Sequence, residues 1–471
     1  MKHQLLLPVL SGLVVGSVSG AASAALDPKE PRGESVVQHE VPGRDPEICV
    51  IPRQYAGGDY SKDDKKDEAK LCEMSAYSTL AVCPKLNSTN PGTEFFTVPE
   101  GITRQELEAR KSGCELDPKD TRNNPLKLDN KKLAKYKQST SCSYTPSIVG
   151  YYHMSRILGD VANVPPSVVR TLDIQTHQSL ARRALSLITK PDSLIYKTWT
   201  GLKSILDQGL RSPNAAKVLT KDGKQSYGAL SVNPGGEEFY EAFFTRPETA
   251  AEKALSRAEL FKRKNPIYRA LTRTEPISNF IGREFTAENV QRVVQLRDAS
   301  EMILLDTLLS QQDRFGNIHY VNKFAYLDPK ERDANGLPKT KLKKKLKPEE
   351  VQQYGAVEVR EMILKDNDCG VAKSNVALET GLIDGVAHMK PDTDNRLQVL
   401  ATQIQQNRAQ VQEYFKTELL FTDKDVAVVF KNIVDVSAQL KANCKAQKLR
   451  LDLDLSAHFA GGGAPAPTKC E

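Results

Sequence analysis

Two short polar runs in the second half of the chain carry side chains that could do chemistry together. The first run contains Asp313 and Asn317, and the second contains Asp366 and Asp368. Transfer of a phosphoryl group needs a carboxylate that orients and deprotonates the attacking hydroxyl, together with divalent metal ions that offset negative charge. Magnesium and manganese prefer the hard oxygen ligands that asparagine and aspartate supply. We therefore expect Asp313 to be the base and Asn317, with Asp366 or Asp368, to hold the metal.

The elements around these runs would have to bring them together. Apolar residues recur at intervals of three and four over residues 286–310, which predicts a long helix that ends just before Asp313. A short strand over residues 318–321, a long basic loop and a second strand over residues 357–364 are expected before Asp366. The motif spacing alone is weak evidence. The alternative is that Asp313 only turns the chain after a helix and that the later aspartates form a loop.

Several further segments resemble one family of kinases. They are residues 152–159 followed by residues 164–166, residues 302–309 followed by the Asp313-Arg314 pair, and residues 396–398. In these segments the chain resembles the secretory-pathway kinases of the Golgi casein kinase and four-jointed type, from residue 146 to about residue 400. The resemblance implies an α+β, two-lobed atypical protein-kinase-like fold with a helix-rich C-terminal lobe. It also implies a kinase that uses ATP with Mn²⁺ or Mg²⁺ and acts on secreted proteins or glycan sugars.

The resemblance assigns roles to the same polar side chains. Asp313 matches the family's catalytic aspartate, and Asp366 matches its metal-binding aspartate. The run that begins at Asp368 resembles the Asp-x-Gly of ordinary kinases, so both aspartates stay candidates. Asn317 resembles the metal-binding asparagine of phosphoinositide-type kinases, which share the Asp-Arg-x-x-Asn spacing.

The N-terminal lobe departs from the family's pattern. The family has a glutamate early in the helix behind the nucleotide, but Ser147 and Ile148 stand where it would fall. A strand lysine that grips the phosphates should precede that helix, and Lys137 is the nearest candidate, with Lys135 behind it. Surface lysines are the commoner alternative for both. No glycine-rich phosphate loop is evident, because the glycine pair at residues 57–58 is typical of a plain turn.

The N terminus and the cysteines indicate an exported protein. Residues 1–24 have the charged start, the short apolar core and the Ala-x-Ala end of a cleavable signal peptide. No later segment is apolar enough to predict a transmembrane helix. Eight cysteines without Cys-x-x-Cys or Cys/His finger spacing favour disulfides over metal ligation, and the sequence leaves their pairing open. We therefore expect a secreted or periplasmic protein.

Changes in composition, together with the lobes that the resemblance implies, predict four parts after the signal peptide. They are a loop-rich, cysteine-containing arm over residues 25–125, an N-lobe with a helical insertion over residues 126–235, a C-lobe over residues 236–456 and a disordered tail over residues 457–471. Six lysines crowd residues 339–347, most simply as a solvated loop and alternatively as a site for an acidic protein, a glycan or a membrane surface. The net charge of +7 is a weak argument for a polyanionic partner, and we expect no nucleic-acid partner.

Three hypotheses remain open for the function. The first is an active kinase, and the second is a catalytically silent pseudokinase that binds a nucleotide, a partner enzyme or a glycan, which the missing glutamate favours. The third is a secreted binding or structural protein with no kinase ancestry, and it predicts that Asp313, Asn317 and Asp366 do not surround one cleft. Hydrolases are disfavoured, because the chain has neither a Gly-x-Ser-x-Gly elbow nor a His-Glu-x-x-His helix. The acceptor, a protein or a glycan that could be acidic, and the oligomeric state stay open.

Overall fold

The computed structural model describes most of the chain beyond its N terminus. The described residues are 26–27, 32–111, 113–120, 122–332, 336–371, 374–460 and 470. The predicted signal peptide over residues 1–24 lies outside them. Of the predicted tail, residues 457–460 belong to the last helix and Cys470 is described, whereas the rest lies outside the described residues.

Seven antiparallel strands form one sheet in the N-terminal lobe. In chain order they are β1 (Ser35–Val41), β2 (Arg44–Ile51), β3 (Ala81–Pro84), β4 (Thr93–Phe96), β5 (Lys132–Lys137), β6 (Ser167–Asp173) and β7 (Gln225–Val232). Their spatial order is β1-β2-β6-β7-β5-β4-β3. Strands β1 to β4 come from the segment expected to be loop-rich. That segment is more regular than its composition indicated, because the strands that follow it supply backbone partners for β2 and β4.

Six helices accompany this sheet. They are α1 (Lys62–Glu73), α2 (Arg104–Ala109), α3 (Thr145–Ile157), α4 (Ile174–Leu187), α5 (Leu194–Gln208) and α6 (Ala215–Val218). Helices α4 to α6 form the helical insertion that the sequence predicts between β6 and β7. Helix α3 is buried along its whole length, because it packs against the sheet on one side and against the C-terminal lobe on the other.

The C-terminal lobe combines a small sheet with many helices. Its strands are β8 (Glu238–Phe239), β9 (His319–Arg332), β10 (Pro338–Lys343) and β11 (Val357–Ile363), and its sheet has the order β10-β9-β11 with β8 paired to β9. Its helices are α7 (Ala250–Lys253), α8 (Arg257–Lys264), α9 (Pro266–Leu271), α10 (Ala287–Leu308), α11 (Pro348–Tyr354), α12 (Val376–Glu379), α13 (Pro391–Gln406), α14 (Arg408–Thr417), α15 (Asp423–Lys445) and α16 (Leu455–Ala460).

Two sequence expectations in this lobe have different outcomes. The long helix is confirmed as α10, and the Thr286 side chain caps it by accepting a hydrogen bond from the Asn289 backbone N–H. The expectation of a long basic loop is wrong, because β9 extends to Arg332 and β10 pairs with it. Part of the lysine run therefore lies on β10, where the Lys343 ammonium lies 5.6 Å from the Tyr326 ring centre.

The predicted α+β fold, with a helix-rich C-terminal lobe and a disulfide-rich N-terminal arm, is confirmed. All eight cysteines form disulfides, namely Cys49–Cys72, Cys83–Cys114, Cys142–Cys369 and Cys444–Cys470. The first two close within the arm, and the third joins the two lobes. Within the described ranges, no helix has both the length and the apolar character that crossing a bilayer requires.

A buried carboxylate joins the arm to the central helix α3. Glu68 on α1 is only 2% exposed, and the Tyr152 hydroxyl on α3 donates a 2.7 Å hydrogen bond to it. Burial raises the pKa of Glu68 to about 7, although the hydrogen bond from Tyr152 opposes the shift. The folded protein therefore holds a proton on Glu68 that the unfolded chain releases at lower pH.

We expect Glu68 to reduce stability progressively between about pH 4.5 and about pH 7, because across that range only the folded state keeps the proton. Glu68→Gln should remove this loss while keeping an oxygen acceptor for Tyr152. The free energy of unfolding in urea at about pH 5 and pH 8 would measure the effect. Glu73→Gln, an exposed position at the end of the same helix, is the control. Equal pH dependence in the wild type and both variants would contradict the assignment.

Candidate active site

Antiparallel pairing of β9 with β11 brings the two polar runs together. His319 at the start of β9 pairs with Ile363 at the end of β11. Asn317 precedes β9 and Asp366 follows β11, so both side chains reach the same edge of the small sheet. The Asn317 amide Nδ2 donates a hydrogen bond to the Asp366 carboxylate.

Asp313 lies in the exposed turn between α10 and β9. Its backbone N–H donates a 3.1 Å hydrogen bond to Gln311 Oε1, which holds the turn in place. Within the part of the chain that the structure describes, its carboxylate accepts no hydrogen bond, and it lines the same cleft as Asn317 and Asp366. An unpaired carboxylate at the wall of a cleft can accept a proton from a bound hydroxyl.

Lys137 forms an ion pair with both aspartates of the second run. Its ammonium lies 2.9 Å from Asp368 and 3.4 Å from Asp366. Burial alone would lower the pKa of Lys137, but the two carboxylates outweigh it and raise that pKa. Burial alone would raise the pKa of Asp366, yet Lys137 and the surrounding lysines hold it well below its usual range. The backbone of Lys137 packs closely against Gly228 on β7, because a Cβ at Gly228 would lie only 2.3 Å from the Lys137 carbonyl oxygen.

The cleft as a whole is rich in charge. Its volume is about 430 Å³, and five lysines and four carboxylates line it, namely Lys85, Lys132, Lys135, Lys137, Lys365, Glu237, Asp313, Asp366 and Asp368. The Glu237 carboxylate accepts a hydrogen bond from Lys365 and lies 4.0 Å from the Lys135 ammonium. The third hypothesis predicted that Asp313, Asn317 and Asp366 would not surround one cleft, and this prediction is wrong. Five cations against four anions leave the cleft with a net charge of +1, so it combines groups that can bind an anion with groups that can bind a cation.

A small apolar pocket of about 50 Å³ adjoins the charged cleft and shares Lys135, Lys137 and Asp366 with it. Its other walls are mostly apolar and include Ile148, Val164, Pro165, Val232 and Pro234. Pro234 belongs to the connection through which the chain passes from β7 into the C-terminal lobe. One end of the combined site is therefore apolar and the other is charged.

Helix α3 carries no acidic residue, in agreement with the departure noted in the sequence. Ser147 instead donates a 2.6 Å hydrogen bond to the Asn367 carbonyl oxygen, and Ile148 forms part of the apolar wall. The carboxylates that pair with Lys137 therefore come from the segment after β11 and not from α3.

Sequence reasoning missed the loop between β3 and β4. Lys85 and residues 87–90 of this loop line the charged cleft, and Asn90 Nδ2 donates a 3.0 Å hydrogen bond to Asp368. Burial and the nearby Lys137 lower the pKa of Lys85 to about 8. A signal was present, because a run of small polar residues ending in Pro91-Gly92 between two apolar strands is typical of a hairpin.

Close packing fixes the segment that carries Asp368. A Cβ at Gly370 would lie 2.5 Å from Ser147 Oγ and 2.7 Å from Tyr151 Cε2, so only glycine fits against α3 here. The Tyr144 backbone N–H donates a 2.8 Å hydrogen bond to the Asp368 carbonyl oxygen. The Cys142–Cys369 disulfide ties the same segment to the connection between β5 and α3.

Arg314 connects the turn of Asp313 to the segment of Asp366. Its buried guanidinium forms an ion pair with Asp306 on α10 at 2.9 Å. It also donates hydrogen bonds to the Lys365 carbonyl oxygen at 2.7 Å and to the Asn367 side-chain oxygen at 2.6 Å. The Tyr151 hydroxyl on α3 also donates to Asp306, at 2.8 Å. One buried cation thus holds both polar runs in a fixed relation.

Comparison with known proteins gives a limited result. No model of a known protein family matches the chain, and no curated protein is similar to it in sequence. Its fold is similar to that of the Golgi casein kinase with manganese and ADP bound, at a TM-score of 0.41 and 11% identity, with 81% of this chain and 76% of that chain covered. A second structure of the Golgi casein kinase gives a TM-score of 0.41 and 12% identity, with 85% and 80% covered. Similarity this low does not show a function for this chain.

We expect Arg314→Met to lower the free energy of unfolding by about 3–5 kcal/mol, because Asp306 would be left buried without its cation. Asp306→Leu should have a comparable effect, and the double variant should lose clearly less than the sum. Arg292→Met, at an exposed position on α10, is the control. Denaturant unfolding of the four variants makes the measurement, and strictly additive losses would show that the two side chains do not act as a pair.

Proposed function

We propose that this chain is an exported kinase that transfers the γ-phosphate of ATP to a hydroxyl of a protein or a glycan. The observation that carries the proposal is the convergence of Asp313, Asn317, Asp366, Asp368 and Lys137 on one cleft with an apolar pocket beside it. The apolar pocket suits a nucleotide base, and the lysines suit a chain of phosphates.

Asp313 would act as the base. Its exposed carboxylate can orient the acceptor hydroxyl and accept its proton as the oxygen attacks the phosphorus. Lys137 and Lys135, at the end of β5, would hold the phosphates of the nucleotide. Arg314 would keep Asp313 in position through its contacts with the neighbouring segments.

The residues also fit a divalent metal. Asn317, Asp366 and Asp368 offer hard oxygen atoms at one edge of the small sheet, which is the donor chemistry that Mg²⁺ and Mn²⁺ prefer. A bound metal there would offset negative charge on the transferring phosphate. The Lys137 ammonium lies within ion-pair distance of Asp366 and Asp368, so these two carboxylates already bind a positive charge.

A catalytically silent pseudokinase is the second candidate, and one observation favours it. Helix α3 has no acidic residue, so no carboxylate from that helix can position Lys137. Lys137 instead forms ion pairs with the two carboxylates proposed to hold the metal. In this alternative the cleft binds a nucleotide and transfers nothing. The four disulfides fit an oxidising compartment, and with the predicted signal peptide they support export under either candidate.

We expect purified protein with ATP and Mn²⁺ to transfer labelled phosphate to itself or to an acceptor in a screen of proteins and sugars. Asp313→Ala should lower the rate at least about 100-fold, because the base is lost. Its melting temperature should change little, since the side chain is exposed and unpaired. Asp435→Ala, an exposed aspartate on α15, is the control. A rate unaffected by Asp313→Ala would refute the assigned base.

Nucleotide binding separates the two candidates from a protein of another class. ATP with Mn²⁺ should raise the melting temperature of the wild type, because a ligand at about 100 times its Kd adds about 2.7 kcal/mol of stability. Lys137→Met and Lys135→Met should reduce the shift, whereas Lys431→Met, a largely exposed control, should not. A shift without transfer would favour the pseudokinase, and the absence of both would contradict both candidates.

A further inference from the structure

A second groove adjoins the charged cleft across the Cys142–Cys369 disulfide, because Cys142 lines the groove and Cys369 lines the cleft. The connection between β5 and α3 (residues 139–144), α5, α12 and the first half of α15 form its walls, and its volume is about 1270 Å³. Pockets for small molecules hold about 300–1,000 Å³. This space, here named the acceptor groove, is therefore large enough for a segment of a polymer.

The acceptor groove reaches the position of the proposed base. Gln312 lines the groove, and the next residue, Asp313, lines the cleft. The Gln312 backbone N–H donates a 3.3 Å hydrogen bond to the Cys369 carbonyl oxygen, which fixes this junction. A polymer that lies in the groove would thus pass beside the carboxylate that accepts the proton.

Charge in the acceptor groove is balanced. Two cations, Lys217 and Lys424, and two anions, Glu379 and Asp425, line it. The Asp425 carboxylate already accepts a 2.6 Å hydrogen bond from the Tyr144 hydroxyl and caps α15. The groove therefore has no net attraction for a strongly acidic segment or for a nucleic acid.

Exposed apolar side chains and uncharged polar residues give the groove its binding chemistry. Leu378 and Val428 lie in it with 44% and 37% of their surface exposed, and the partly buried Ile205 of α5 lines another wall. Serine, threonine, asparagine and glutamine residues line most of the remainder. A polypeptide offers apolar side chains for the first set and backbone amides and carbonyls for the second.

A glycan fits the groove less well. Pyranose rings pack on flat aromatic side chains, and of the lining residues that the structure describes, Tyr144 alone is aromatic. We infer, on the basis of the proposed kinase function, that the acceptor is a protein and that the groove binds an uncharged, partly apolar polypeptide segment next to the phosphorylated hydroxyl.

An array of serine- and threonine-containing peptides with varied flanking residues tests this inference on the full chain. Val428→Glu and Leu378→Glu place a charge among the apolar contacts, and Val399→Glu makes the same change at an exposed position on α13 outside the groove. We expect the two groove variants to bind array peptides at least about tenfold more weakly than the wild type. For the best peptide we expect a KM at least about tenfold higher, with kcat and the KM for ATP unchanged. Val399→Glu should behave as the wild type.

Each outcome has a distinct meaning. Groove variants that match Val399→Glu in both peptide binding and KM would overturn the inference. Binding to a glycan array that the groove variants abolish, without peptide binding, would overturn the choice of a polypeptide. Peptide binding that depends on Val428, without any phosphate transfer, would overturn the proposed kinase function but would support the peptide groove.

Discussion

The buried ion pair between Arg314 and Asp306 is the interaction on which the candidate site depends. It joins the end of α10 to the turn of Asp313 and, through Lys365 and Asn367, to the segment of Asp366. A buried cation that satisfies a carboxylate, a carbonyl and an amide permits few alternative arrangements, because each broken contact would leave an unpaired polar group in the interior. The two polar runs therefore keep a fixed relation although about fifty residues separate them.

The pairing of Lys137 with Asp366 is the second constraint on the candidate site. Lys137 and Asp366 stabilise each other's charged forms inside the protein, and the lysines around Asp366 strengthen the effect. This arrangement keeps the Asp366 carboxylate ionised and keeps the Lys137 ammonium beside it. The loop between β3 and β4 covers the cleft and contacts Asp368 through Asn90, so the arm contributes directly to the site.

Helix α3 relates the two lobes. It packs against the sheet of the N-terminal lobe. Its Ser147 hydroxyl donates a hydrogen bond to the Asn367 carbonyl oxygen, and its Tyr151 hydroxyl donates one to Asp306. The cleft lies on one side of the Cys142–Cys369 disulfide, and the acceptor groove lies on the other. Charged side chains are concentrated in the cleft, whereas most residues that line the groove are uncharged, and the two spaces meet at Gln312 and Asp313.

The sequence by itself determined what is local: the long helix before Asp313, the strand before Asp366, the polar runs and the preference of the cysteines for disulfides. Helical periodicity and turn residues report on neighbours along the chain, so these features could be predicted. Only the tertiary structure decided that Lys137 forms ion pairs with Asp366 and Asp368 and that Cys142 forms a disulfide with Cys369. It also decided that Lys85 and Asn90 line the cleft and that strand β10 forms where a loop was expected. Those contacts depend on strand pairing and on burial between distant segments, which a single sequence does not encode in its spacing.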